Sequence, residues 1–127
     1  KLQGKSETEI TQKLREEEEF FRKIKEGKLT GFTAQGNANW WQEHLQFNPL
    51  EAVCKIKTPL FILNGGKDYQ VLAEKDARPL YRKAKSCGVE VTLKIYPGLD
   101  HLFESVKGKS TPEKYLTPGR KIPAQVK

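Results

Sequence analysis

Apolar positions along this chain change their period several times, and each change predicts an element. Ile10, Leu14, Phe21 and Ile24 recur at near-helical spacing. Ser6-Glu7-Thr8-Glu9 ahead of them forms a capping box, and Gly27 is a natural stop, so a helix is predicted over 6–26. Glu9→Lys13, Glu18→Arg22 and Glu19→Lys23 are i,i+4 pairs in the favourable order. Residues 27–39 carry no periodicity and read as a loop. A short helix is expected over 39–47, ended by Asn48-Pro49, with one more turn at 50–53. Pro59 then precedes Leu60-Phe61-Ile62-Leu63, a continuous apolar run of the kind found in strands covered on both faces. A helix follows within 73–87, starting near Asp76–Ala77 because Pro79 does not belong deep inside it. Val89, Val91, Leu93 and Ile95 alternate with Glu90, Thr92, Lys94 and Tyr96, which predicts a half-exposed strand near a sheet edge. Residues 104–120 read as mostly loop, and a helix is expected to open at Ile122.

Strand, helix and strand in that order make a β–α–β unit, which joins parallel strands by a right-handed crossover and places the chain in the α/β class. Two strands alone do not make a stable parallel sheet. The apolar run at 60–63 therefore calls for neighbouring strands and helices beyond this chain. With 127 residues, 36% hydrophobic content, 31% charged content and a mean hydropathy of −0.70, the chain also has little material for a core of its own.

No stretch has the length of a membrane span, and no secretory leader pattern is visible. The net charge of +7 could suggest nucleic acid, but its distribution argues otherwise. Residues 1–30 hold 8 basic and 7 acidic side chains, 31–100 hold 9 and 7, and the last 27 hold 6 and 2. The excess sits in the tail around Lys107, Lys109, Lys114, Arg120 and Lys121, with no nucleic-acid motif beside it, and reads as a solvated basic surface. Cys54 and Cys87 lack metal-ligand spacing and are expected to be buried small apolar residues, with a disulfide left open and the compartment with it.

The candidate chemistry lies where the two strands end. Ligands of open parallel sheets bind beyond the carboxyl ends of the strands. Asp68 follows the first strand and His101 the second. Such a histidine takes a proton from a nucleophile and returns it to the leaving group. The carboxylate holds the other ring nitrogen, fixing the tautomer and stabilising the imidazolium. Gly65-Gly66 permits a sharp turn that aims Asp68 over the sheet, and Pro97-Gly98 does the same before His101. Asp100 is a rival partner, but adjacent side chains rarely face each other, so Asp68 is preferred.

Asn64-Gly65-Gly66-Lys67-Asp68-Tyr69-Gln70-Val71, preceded by Ile56-Lys57-Thr58-Pro59, resembles the Asp-bearing segment of α/β-hydrolases. The likeness is to the dienelactone-hydrolase-like and prolyl-oligopeptidase-like esterases and peptidases. Tyr96-Pro97-Gly98-Leu99-Asp100-His101-Leu102-Phe103 resembles their His segment, and Ser110–Tyr115 the stretch that often follows it. The resemblance covers about residues 38–127. It implies that Asp68 is the acid and His101 the base of a catalytic triad. It implies that 1–50 form a helical lid and 51–127 the C-terminal part of the hydrolase core. No metal or organic cofactor is implied.

The departures are as informative. Ser6, Ser86, Ser105 and Ser110 all lack the Gly-x-Ser-x-Gly setting of the family's nucleophile, and neither cysteine fits it. The expected partners are thus a small ester or acyl substrate and an N-terminal half of the same hydrolase, possibly a separate chain. Trp40, Trp41 and Phe47 are candidates either for lining an acyl pocket or for helix packing, and Tyr69 and its neighbour Gln70 adjoin the Asp loop as candidate site residues. Phe20 and Phe21 read as lid packing and His44 as a polar lid residue. The predicted function is that of a serine-type hydrolase segment acting on carboxylic esters. The alternatives are a peptidase or amidase of the same fold, and a non-catalytic hydrolase-like binding module.

Overall fold

A computed structural model describes residues 4–126. The chain divides into two compact units, one ending at Asn48 and one beginning at Pro49.

The first unit is built on α1 (Glu7–Lys25). Its capping box forms as expected: Ser6 Oγ accepts from the Glu9 N–H (3.2 Å), and Glu9 accepts from the Ser6 N–H (2.8 Å). The surface pairs differ in part. Glu19 meets Lys23 at 3.3 Å, but Arg22 ignores Glu18 and bridges Glu19 and Glu26 at 2.7 and 2.8 Å. The several donors of one planar guanidinium let it bond a carboxylate on either side, Glu19 one turn before it and Glu26 one turn after. The expected loop over 27–39 contains a minimal antiparallel hairpin, β1 (Phe32–Thr33) and β2 (Gly36–Asn37), too short to leave a period-2 pattern. Asn37 then caps α2 (Ala38–Gln46), its Oδ1 accepting from the Asn39 N–H at 3.0 Å. Phe20, Ile24 and Ala38 form the core of this unit, with Phe21, Leu29 and Trp41 packed against it.

The second unit opens with α3 (Pro49–Ala52) and a 3-10 turn (Val53–Lys55) that lead into β3 (Leu60–Gly65). A π turn (Ala73–Ala77) precedes α4 (Arg78–Ser86), because Pro79 has no N–H to give and the regular helix pattern starts only around it. β4 (Val91–Tyr96) returns parallel to β3, in register from Leu60↔Val91 to Gly65↔Tyr96. The unit is thus α/β in character. Four-residue α5 (Pro112–Tyr115) interrupts the tail. Residues 122–126 make a hydrogen-bonded turn, Val126 N–H to Pro123 O at 3.0 Å, instead of the expected helix, and Lys127 lies outside the described residues.

Three expectations need correction here. The run 60–63 is not covered on both faces: Phe61 is 59% exposed, since β4 is the only strand paired with β3 among the described residues. Tyr96, placed outward by the alternation, is buried, and its hydroxyl donates to Gln125 O at 3.2 Å. Cys54 and Cys87 are not buried apolar side chains but a disulfide, Cα to Cα 5.3 Å, that ties the turn before β3 to the end of α4. Among the described residues, no helix is long and apolar enough to cross a membrane.

Candidate active site

The parallel register brings the ends of β3 and β4 side by side, and the loops leaving them continue the pairing. Gly66 N–H donates to Tyr96 O (2.7 Å) and Lys67 N–H to Leu99 O (2.9 Å). Lys67 Nζ adds a bond to Val106 O at 2.9 Å. The glycine pair is what makes this closeness possible. A Cβ on Gly65 would stand 2.3 Å from Asp100 O, and one on Gly66 would stand 2.7 Å from Pro97 Cα. Both have ordinary negative φ. The expected turn forms, Asp68 N–H donating to Gly65 O at 3.1 Å, and what it demands of the glycines is close backbone approach rather than a positive φ. Gly98 meets nothing within 4 Å and has no positive φ, so the second proposed glycine turn makes no comparable demand.

Asp68 sits in the first of these loops with both carboxylate oxygens committed. Oδ1 accepts from the backbone N–H groups of Gln70 (2.8 Å) and Val71 (3.0 Å), which fixes the plane of the carboxylate. Oδ2 accepts from His101 Nδ1 at 2.8 Å. The side chain of Asp68 is 4% exposed and that of His101 38%. One partner is thus enclosed while the other faces outward. Among the described residues, Nε2 of His101 has no hydrogen-bond partner. With Nδ1–H held by the carboxylate, the neutral ring carries its lone pair on Nε2, the arrangement a general base needs. Asn64 ties the far side of the loop, donating from Nδ2 to Val71 O at 3.1 Å. A groove of about 450 Å³ runs beside it, lined in part by Gly66, Asp68, Leu72, Ala73, Ile95 and Pro97.

The rival Asp100 is engaged elsewhere. It is fully buried and forms an ion pair with Arg120, while its Oδ1 accepts from the N–H groups of Leu102 (3.0 Å) and Glu104 (3.2 Å). Arg120 is therefore no part of a solvated basic surface. Lys114 is also drawn in, its ammonium donating to the carbonyls of Lys107 and Lys109. The one signal that could have marked Arg120 is its residue type: it is the single arginine among the lysines of the last 27 residues, and arginine suits buried carboxylates better.

Tyr69 adjoins Asp68 and stacks on Tyr115, ring centroids 5.8 Å apart, while Gln70 donates to the Tyr115 hydroxyl at 3.2 Å. Partial desolvation, and then the Tyr115 hydroxyl, hold the Tyr69 hydroxyl above the ordinary phenol range, so it stays neutral. Tyr115 was not singled out from the sequence. Trp40 and Trp41 belong to the first unit. Trp40 stacks on His44 at 4.7 Å, and Trp41 packs edge-on against Phe21 and donates from its indole to Gln35 O at 3.0 Å.

An Asp–His pair at the carboxyl ends of adjacent parallel strands is consistent with a protein of the α/β-hydrolase type. The sequence comparisons narrow that class. The Dienelactone hydrolase family matches residues 30–117, and the chain belongs to this family. It is 31% identical over 88 residues to Esterase EstD of Thermotoga maritima, covering 69% of this chain and 21% of the esterase. It is 32% identical over 72 residues to the Acylamino-acid-releasing enzyme of Rattus norvegicus, covering 57% of this chain and 10% of that enzyme. The corresponding enzyme of Homo sapiens is 33% identical over 70 residues. The chain spans about a fifth of the length of the esterase and about a tenth of the other two. No solved structure matches it.

Proposed function

We propose that this chain supplies the acid and the base of a serine-type triad in a carboxylic ester hydrolase, Asp68 and His101 respectively. The nucleophile and the oxyanion hole belong to a part of the protein on the N-terminal side of these residues. The single observation that carries the reading is the 2.8 Å contact between His101 Nδ1 and Asp68 Oδ2, with Nε2 left open. In the first half-reaction His101 Nε2 takes the hydroxyl proton as the nucleophile attacks the ester carbonyl. It then gives that proton to the leaving alkoxide. Asp68 stays ionised and stabilises the imidazolium between the two transfers. The acyl-enzyme is released by water activated in the same way.

The exposed β3 run, with Phe61 outward, fits a sheet that continues past this chain. Residues 1–50 are read as a helical lid segment, and Trp40, Trp41 and Tyr69 are each candidates for contact with the acyl substrate. An amide-cleaving reading is favoured by one observation, the similarity to two acylamino-acid-releasing enzymes. Steady-state hydrolysis of p-nitrophenyl esters and of acylated amino-acid anilides by the complete protein decides between the two. Ester turnover that is abolished in His101→Ala supports the reading, and turnover undiminished in that folded variant removes His101 from the mechanism.

A further inference from the structure

The ring of His101 is fixed by Asp68 at one nitrogen only, so its position depends on the turn that carries it. That turn closes on itself: Asp100 N–H donates to Glu104 O (3.1 Å) and Phe103 N–H donates to Asp100 O (3.1 Å). Phe103 holds a φ of 57°, a left-handed conformation that a bulky residue adopts only when its surroundings impose it. A single guanidinium fastens this turn from outside. Arg120 Nη2 meets Asp100 Oδ2, its Nε meets Glu104 Oε2 at 2.9 Å, and its Nη1 donates to Lys114 O at 2.8 Å. All three nitrogens are used, and two of the three partners flank His101 in sequence. The side chain of Arg120 is 12% exposed and that of Asp100 is 0% exposed.

We propose that Arg120 is a positioning residue for His101, holding the 100–104 turn so that the imidazole stays on Asp68 through both proton transfers. This rests on the reading of His101 as general base. Without the guanidinium, Asp100 is a buried carboxylate with no cation, and opening the turn to water relieves that cost. Opening the turn moves His101, its second residue. Lysine restores the charge toward Asp100 but not the fork that also grips Glu104 and the Lys114 carbonyl.

The test uses the complete protein and two readouts: kcat and KM on an aryl ester, and the low-field proton resonance of His101 Nδ1–H. For Arg120→Gln, kcat is expected to fall about 10- to 100-fold, with KM within about twofold, the size of effect that sub-ångström misplacement of a catalytic group produces. The resonance is expected to weaken or vanish. Arg120→Lys is expected to recover part of both. Glu104→Gln, a milder cut that leaves Asp100 paired, is expected to give a smaller change in the same direction, and it carries the test if Arg120→Gln does not fold. Lys121→Ala, on the exposed neighbour, is expected to behave as wild type. Folded Arg120→Gln or Glu104→Gln protein with wild-type kcat and a wild-type resonance overturns the positioning role. Undiminished turnover in His101→Ala overturns instead the catalytic reading, and the resonance then still reports whether Arg120 holds the Asp68–His101 contact.

Discussion

His101 Nδ1 lies 2.8 Å from Asp68 Oδ2 although 33 residues separate them in the chain. The register Gly65↔Tyr96 sets this meeting, because it starts both loops from the same end of the sheet. If the pair works as acid and base of a triad, its members are unequal in a measurable way. Asp68→Asn keeps the shape but offers an amide to Nδ1, and kcat is expected to fall about 10⁴-fold. His101→Ala is expected to fall at least as far, with folding intact because the ring is partly exposed. Thermal midpoints beside kcat check both halves of the expectation.

The glycine pair is expected to be intolerant for a steric reason. Gly65→Ala puts a methyl 2.3 Å from the Asp100 carbonyl oxygen and 2.6 Å from that of Leu99. Backbone must move to accept it, at a cost of about 1–3 kcal/mol or more. Gly98→Ala meets nothing within 4 Å and is expected to stay within about 0.5 kcal/mol of wild type. Denaturant midpoints for the two variants separate close approach from mere loop flexibility.

Joining Cys54 to Cys87 closes a loop with a sequence separation of 33 around the whole β3–α4 connection. Reduction, or Cys54→Ser with Cys87→Ser, is expected to destabilise the second unit by about 2–4 kcal/mol, chiefly by freeing the unfolded chain. The Asp68–His101 contact lies at the other end of the strands, so turnover at low temperature is expected to survive. A lower thermal midpoint under reductant, with kcat unchanged well below it, is the expected result.

Acid acts on α1 through its cap. The Ser6 backbone N–H, and then its hydroxyl, hold the Glu9 carboxyl below its ordinary value of 4.5. A carboxyl depressed on folding contributes stability that is present above its unfolded pKa and lost as pH falls through the folded one. Protection of the Glu9 and Ile10 amides, which donate to Ser6, is therefore expected to be constant from neutral pH down to about 4.5, then to decline below it. Ser6→Ala is expected to remove the cap at every pH, at a cost of about 1 kcal/mol. Amide hydrogen exchange of the first turn measures both effects.

Much of this arrangement was legible because local chemistry wrote it. Ser6 and Glu9 mark the start of α1, and the 2-residue period of Val91–Ile95 marks β4. The partnership of Asp68 with His101 followed from both residues ending strands of one β–α–β unit. What stayed hidden depends on contacts between distant segments. Arg120 looked like tail charge because its partners, Asp100 and Glu104, are brought to it only by the fold. The turn at Gly65 and Gly66 was legible, but the close approach that requires both glycines was not, since the atoms that crowd them belong to residues 97–100. The hairpin at Phe32–Thr33 and Gly36–Asn37 left no pattern because two-residue strands have no period to show. Phe61 was read as covered because an apolar run signals burial without naming what covers it.

Labelling the complete protein with a fluorophosphonate, in wild-type and His101→Ala forms, followed by mapping of the modified peptide, tests the central claim most directly. The reagent reacts with a serine only when a neighbouring base activates it. The account predicts one modified serine in the wild type, within a Gly-x-Ser-x-Gly segment on the N-terminal side of these residues, and a rate of labelling that collapses in His101→Ala. A wild type that does not label, or a His101→Ala variant that labels at the wild-type rate, would contradict it.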